Sequence, residues 1–386
     1  MSAPREHFSS KLGFILAAAG SAVGIGNIVG FPVNAAKNGG GAFLLMYAVF
    51  IIAICLPVMM AEMAVGRKTA KNPVGAYGAL AGENSKWRLA GLLSVITPFM
   101  IAVFYTVLTI WIFIYFIMTV TGQLDYLASA QGFAEIINSP GYLFSAMVIV
   151  GGLVGVILSS GVKDGIERAA KVMMPALFVM LVLLVIFVLT LDNAMAGIKF
   201  YLIPDLDKIT PSVISGAMSQ AFFSLSLGMG ILVTYGSYIS KETDIEGSAK
   251  LVAITDTSVA FIAGLMVLPA IFSFNPDVNT DELSSSSVSM IFVFLPKIFL
   301  ALQTTIGFFL ASTVAAVFFL LVFFAALTSL VSIIEVPVSY LIDEKKHTRK
   351  KALTTIFIWG GLLAALATLS FGMVNFLTEF TNYGGG

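Results

Sequence analysis

Two apolar stretches, each long enough to cross a bilayer, are interrupted by glycine at matching places: Gly20-Ser-Ala-Val-Gly24-Ile-Gly26-Asn27 within 12–36, and Ser224-Leu-Ser226-Leu-Gly228-Met-Gly230 within 212–240. Inside a membrane a backbone N–H or C=O without a partner is costly, so uncoiled helix is tolerated only where it is buried in protein or lines a cavity. Two such breaks in corresponding halves of a chain point to a transporter's binding site.

The composition supports this setting. Hydrophobic residues make up 58% of the chain and charged residues 11%, against roughly 45–50% and 25% in soluble domains. Net charge is zero, which suggests no nucleic-acid partner. The single cysteine, Cys55, has no internal disulfide partner, and His7 and His347 sit far apart in polar segments, so no zinc site is expected. Gly24-Ile-Gly26 lacks the third glycine of a dinucleotide loop, since position 29 is Val29, and no phosphate loop is present, so no nucleotide is expected. Met1 to Ser10 is polar, and the span that follows is too long for a signal-peptide core.

At about 20 apolar residues per crossing, spans are expected at 12–36 (broken), 41–66, 88–120, 142–160, 170–191, 212–240 (broken), 250–273, 307–341 and 352–372. The apolar but Pro296- and Lys297-containing stretch 288–305 reads as a re-entrant or surface hairpin. With nine spans and a cytoplasmic N-terminus, all of the 21 Lys and Arg residues except Lys37, Lys199, Lys208 and Lys297 fall on the cytoplasmic side, as the positive-inside rule asks. The expected organisation is a cytoplasmic segment 1–11, a first repeat of five spans over 12–191, and a second repeat over 192–386. An odd number of spans per repeat inverts the second half relative to the first. That second half is one helix short, so further helices are expected beyond position 386, and the expected location is the inner (plasma) membrane.

The chemistry concentrates at the breaks. Small-residue spacing at Gly20/Gly24, Gly26/Gly30 and Gly151/Gly155 fits close helix packing, and for Gly151 and Gly155 that is the whole reading. It leaves Asn27 unexplained. An uncoiled stretch offers carbonyls to a hard cation and half-helix N–H groups to an anion, which together suit sodium and a zwitterion. Asp256 stands within a span, where a carboxylate costs roughly 2.5–3.5 kcal/mol and is usually paired or functional; the alternative reading is a protonated or water-exposed Asp nearer the cytoplasmic end of the seventh span. Glu62 and Glu335 read as partners of nearby backbone or Arg. The hydroxyls of Thr328 and Ser329 either bond back along their own helix or complete an oxygen cage.

Across Gly20-Ser-Ala-Val-Gly-Ile-Gly-Asn27, Phe31-Pro32, Asn38-Gly-Gly-Gly-Ala-Phe43, Gln220 to Gly230, Tyr235-Gly-Ser-Tyr238 and Leu327-Thr-Ser329, the chain closely resembles the neurotransmitter:sodium symporter family over nearly its whole length. The resemblance implies an all-α integral membrane fold of inverted repeats with discontinuous first and sixth helices. It implies two sodium sites. The first would use the Ala22 carbonyl, Asn27, Ser224 and Asp256 with the substrate carboxylate. The second would use carbonyls of Gly20, Val23 and Ala325 with the hydroxyls of Thr328 and Ser329. The carboxylate would meet Ile25 and Gly26 N–H groups and the Tyr105 hydroxyl. Phe223, Ser226, Met229, Ile101 and Ile333 would line the side-chain pocket, and Arg5, Tyr238 and Asp343 the cytoplasmic gate.

Three departures stand out: Gly30 where most relatives carry Arg before Phe-Pro, no tenth helix to carry the acidic partner of that Arg, and Asp256 where many relatives have Asn. The expected function is sodium-coupled, chloride-independent symport of a neutral, hydrophobic amino acid by alternating access, and not an enzyme activity. The alternatives are a non-transporting amino-acid receptor and an incomplete, inactive chain. Expected partners are the amino acid, sodium ions and the lipid bilayer, with a homodimer as a possible assembly.

Overall fold

In a computed structural model of the chain, residues 6–274, 288 and 290–378 are described. Among the described residues, seven helices are long and apolar enough to cross a membrane unbroken. The first span is a pair, α1 (Lys11–Ala22) and α2 (Gly26–Lys37), bent by 53° at the glycine break. Then come α3 (Gly41–Thr69), the short α4 (Pro73–Ala81), and the spans α5 (Trp87–Val120), α6 (Pro140–Ser159) and α7 (Val162–Val188). After α8 (Ala194–Leu202) the sixth span is again two pieces, α9 (Pro211–Ser224) and α10 (Ile231–Gly236), each too short to cross alone. α11 (Ile245–Ser273), α12 (Met290–Ile306), α13 (Phe308–Asp343) and α14 (Arg349–Leu369) follow.

The stretch expected as a hairpin at 288–305 is, over its described part, one short apolar helix. α12 buries Met290, Ile291, Phe292, Leu295, Ile298 and Phe299 and packs on α13 and on the turn at Leu124–Ala128. Pro296 does not fold the stretch back on itself. It is absorbed by a π-turn at Met290–Phe294, as Pro32 is by Gly26–Gly30 and Pro57 by Ile51–Cys55. In each case the wide turn ends two residues before the proline. Proline has no N–H to give the carbonyl four residues back, and an i to i−5 register re-spaces the ladder around the gap. Phe31 N–H accordingly reaches Gly26 O, and Leu56 N–H reaches Ile51 O.

The core runs along α13, whose span is the most buried and which packs most extensively on α5, with α1, α7 and α10 around it. α6 and α14 lie outermost, with large apolar side chains such as Val148, Val156, Trp359 and Leu366 exposed. In lipid such a face costs nothing, because the acyl chains are as apolar as the side chains.

Glycine sets the closest approach of α3 to α10. A methyl group on Gly66 would collide with the Val233 carbonyl, and one on Gly236 would come within 2.6 Å of the Met63 carbonyl. By contrast, nothing lies within 4 Å of a methyl group on Gly151, and on Gly155 it would meet only the edge of Phe357 at 3.7 Å. The close-packing role expected for that pair is therefore not what the fold uses. Gly66→Ala is expected to lower stability by about 1–3 kcal/mol through overpacking, whereas Gly151→Ala stays within about 0.5 kcal/mol of the parent. Thermal unfolding of the two purified variants in detergent checks the pair; equal midpoints would remove this distinction.

Candidate functional site

α1 stops at Ala22 because Val23 takes an extended conformation, ψ 104°. The last carbonyls of a helix have no partner in the helix itself, and here side chains from elsewhere supply them. The Ser329 hydroxyl, on α13, lies 3.2 Å from Ser21 O, 3.3 Å from Val23 O and 3.5 Å from Gly20 O. Ser226 Oγ, in the second break, donates to Ser21 O at 3.3 Å. The second break turns on positive φ at Ser226 (55°), Gly228 (78°) and Gly230 (68°), which only glycine adopts without cost. Gly230 is required twice over, because a methyl there would sit 2.7 Å from Pro73 Cγ and from Ser94 O. Glu62 on α3 accepts from Gly228 N–H at 2.7 Å and so ties this break to the α3 helix.

Beside the first break lies a fully buried polar cluster. Asn27 Nδ2 donates to Asp256 Oδ1 at 2.7 Å and to Ser224 Oγ at 2.9 Å. Ser224 donates to Asp256 Oδ2 at 2.8 Å, and the Tyr47 hydroxyl stands 3.4 Å from the same oxygen. Asn27, Tyr47 and Asp256 are 0% exposed and Ser224 is 1% exposed. Every group bonded to the carboxylate is neutral, and among the described residues no Lys, Arg or His pairs with it. A buried carboxyl held only by neutral dipoles is relieved either by a proton or by a cation. Asn27 Oδ1 accepts from Gly24 N–H at 3.1 Å, which ties this side chain to the backbone of the first break.

Three of the four residues expected at the first sodium site are thus in direct contact, and Ala22 closes the helix next to them. At the second site Gly20, Val23 and Ser329 converge. Thr328 is adjacent, its Cβ 3.4 Å from where a methyl on Gly20 would stand, but its hydroxyl donates back to Phe324 O at 2.9 Å and Ala325 O at 3.1 Å. Thr328 therefore bonds back along its own helix while the Ser329 hydroxyl faces the carbonyls at the end of α1, and the oxygen lone pairs of Thr328 stay available.

Tyr105 reaches the break from α5: Ile25 N–H donates to its hydroxyl at 3.1 Å. A methyl on Gly24 would stand 2.8 Å from both Tyr105 OH and Ser329 Oγ, so glycine keeps this point open. The Phe223 ring covers Gly26, 3.0 Å from where a methyl would be, yet Phe223 is 47% exposed, so the space is not sealed on that side. Ile101 and Ile333 lie one helical turn from Tyr105 and Ser329, on the same faces. Ile333 and Ser226 are buried, and Met229 is half-buried.

At the end of the molecule that holds residues 6–10, Arg5 lies outside the described residues. Tyr238 OH donates to buried Glu335 at 2.8 Å, and Glu335 pairs with Arg349 at 2.8 Å. Asp343 accepts from Asn72 N–H at 2.8 Å. Tyr238 and Asp343 border one cavity of about 690 Å³. The N-terminal segment is fixed beside it: buried Glu167 accepts from Ser9 N–H and Ser9 Oγ, both at 2.6 Å, from Ser10 Oγ, and from Lys171. Sequence reasoning missed Tyr47, the Ser21 carbonyl and Gln220, whose partners are more than 170 positions away.

The model of the sodium:neurotransmitter symporter family matches residues 5–135 and 125–386. The chain is 38% identical to the uncharacterized sodium-dependent transporter YhdH of Bacillus subtilis (strain 168), over 95% of this chain and 79% of that protein. It is 37% identical to an uncharacterized sodium-dependent transporter of Methanocaldococcus jannaschii, over 96% of this chain and 76% of that one. Among solved structures, MhsT in complex with L-phenylalanine superimposes with a TM-score of 0.84 at 41% identity, covering 96% of this chain and 82% of MhsT. With two broken helices meeting at a buried carboxylate, and with these similarities, the chain has the inverted-repeat transporter fold and belongs to the sodium:neurotransmitter symporter family, a family of transporters rather than enzymes.

Proposed function

We propose that the chain is a sodium-coupled symporter of a neutral, hydrophobic amino acid, working by alternating access from a plasma membrane in which its N-terminus is cytoplasmic. The observation that carries this reading is the buried Asp256, held by Asn27, Ser224 and Tyr47 and, among the described residues, by no Lys, Arg or His, directly beside the uncoiled end of α1. Sodium placed among Asn27, Ser224, Asp256 and the Ala22 carbonyl supplies the missing charge. The substrate carboxylate binds at the start of α2, where the Ile25 and Gly26 N–H groups and the helix dipole favour an anion, and Tyr105 OH turns from Ile25 toward it. That carboxylate completes the sodium shell, so ion and amino acid bind together. A second sodium among Gly20, Val23, Ala325, Thr328 and Ser329 joins α1 to α13.

The side-chain space is framed by Phe223, Met229, Ile101 and Ile333, with Ser226 as its polar contribution and no charged residue in that set. This favours an uncharged, apolar substrate, and methionine adapts to several shapes. The similarity to MhsT, solved with L-phenylalanine, supports the same class. Two sodium ions entering through ~100 mV contribute roughly 4.6 kcal/mol, enough for roughly thousandfold accumulation.

In proteoliposomes, an inward sodium gradient is expected to drive leucine or phenylalanine uptake, while lysine and glutamate compete poorly; binding without uptake would instead identify a receptor. Because Asp256 provides a fixed negative charge, replacing chloride by gluconate should leave the rate unchanged, and a collapse would overturn that assignment. Asp256→Asn removes the charge without changing the shape. It is expected to raise the sodium concentration for half-maximal amino-acid binding at least roughly tenfold, the worth of about 1.4 kcal/mol, measured by equilibrium binding across a sodium titration; an unshifted midpoint would place the ion elsewhere.

A further inference from the structure

The outer halves of the two broken helices, α2 and α9, run side by side on the side of the site away from residues 6–10, and neutral carboxamides join them. Gln220 on α9 donates from Nε2 to Gly26 O at 3.0 Å and accepts at Oε1 from Asn34 Nδ2 at 3.0 Å. The reversed amide would set Oε1 against the Gly26 carbonyl, two acceptors facing, so these two bonds fix its orientation. One helical turn away Asn38 lies against α9 beside Gly216, where a methyl would be in ordinary contact with Asn38 Nδ2 at 3.5 Å, and Asn38 in turn donates to Asn34 O at 2.8 Å. Gly30, between the partners on α2, brings no side chain; a methyl there would be 3.9 Å from Gln220 Oε1.

Resting on the transporter reading above, we propose that Gln220 and Asn34 form the latch that closes the binding site on this side. Phe223 follows Gln220 by three residues on α9 and lies over Gly26, so the bonds that hold α9 against α2 also hold this ring above the Ile25 and Gly26 N–H groups. Gln220 is 6% exposed and Asn34 half-buried at the rim. Each neutral hydrogen bond is modest, and water replaces it when the helices part. The contact therefore reopens readily and, having no net charge, is little affected by salt.

The test uses Gly30→Cys as a reporter in the purified full chain. Gly30 has φ −59°, which a cysteine adopts freely, and native Cys55 is 0% exposed, giving a low background. The rate of reaction with a water-soluble maleimide is measured in plain buffer and with sodium plus L-leucine. Asn34→Ala and the isosteric Asn34→Asp, which forces Gln220 to turn its Nε2 away from Gly26, are expected to speed labelling roughly three- to tenfold, the worth of one hydrogen bond. Asn34→Gln keeps the donor and is expected to label within about twofold of the parent reporter. A residue that merely filled space would rank these variants the other way, with the larger Gln harmful and the isosteric Asp silent. That ranking, or equal rates in all four proteins, would overturn the latch. Labelling that leucine fails to slow in the parent reporter would count against the transporter reading instead.

Discussion

Backbone that leaves the helix inside a membrane must find other partners, and the polar side chains of this interior are placed where the two breaks need them. Ser329 and Ser226 serve the loose carbonyls at the end of α1, Tyr105 takes Ile25 N–H, Gln220 holds the Gly26 carbonyl, and Glu62 takes Gly228 N–H. These side chains come from α3, α5, α9, the second break and α13, so the two breaks are held by elements from both halves of the chain. In a bilayer such partners must come from the protein or from a water-lined cavity, since the hydrocarbon offers none.

Charge adds a second condition. Glu335 shows how the fold treats a buried acid whose role is structural, because Arg349 pairs with it at 2.8 Å and Tyr238 donates to it. Glu167, equally buried, has Lys171. Asp256 has neither, only Asn27, Ser224 and Tyr47. Among the described residues this difference separates carboxylates that the fold pairs with a cationic side chain from one held by neutral groups alone, and it stands beside the break that follows α1.

Much of this was legible in the sequence, because glycine and carboxylate are conspicuous in apolar helix. Gly24, Gly228 and Gly230 marked the breaks, and Asn27, Ser224 and Asp256 meet as their motifs implied. What escaped depends on contacts between distant positions. Tyr47 lies in an apolar helix beside Phe43, and its sequence neighbours give no sign that its hydroxyl points at Asp256. Gln220 looks like an ordinary polar residue until Gly26 and Asn34 are seen on either side of it. The Gly151/Gly155 spacing describes one helix face and says nothing of what packs there, which is open space and the edge of Phe357. The helix at 290–306 reads as a hairpin in sequence because Pro296 looks like a break, whereas a π-turn accommodates it.

The central claim is that one cation and the substrate carboxylate share a single site between the broken helices. Linkage makes this directly measurable, since each ligand must strengthen the other by the same factor. Equilibrium binding of L-leucine to the purified protein in sodium, compared with potassium at equal ionic strength, is the most direct measurement. An affinity at least roughly tenfold higher in sodium, within the usual range of coupling between sites, is the expected result. Equal affinity in the two salts would contradict the shared site.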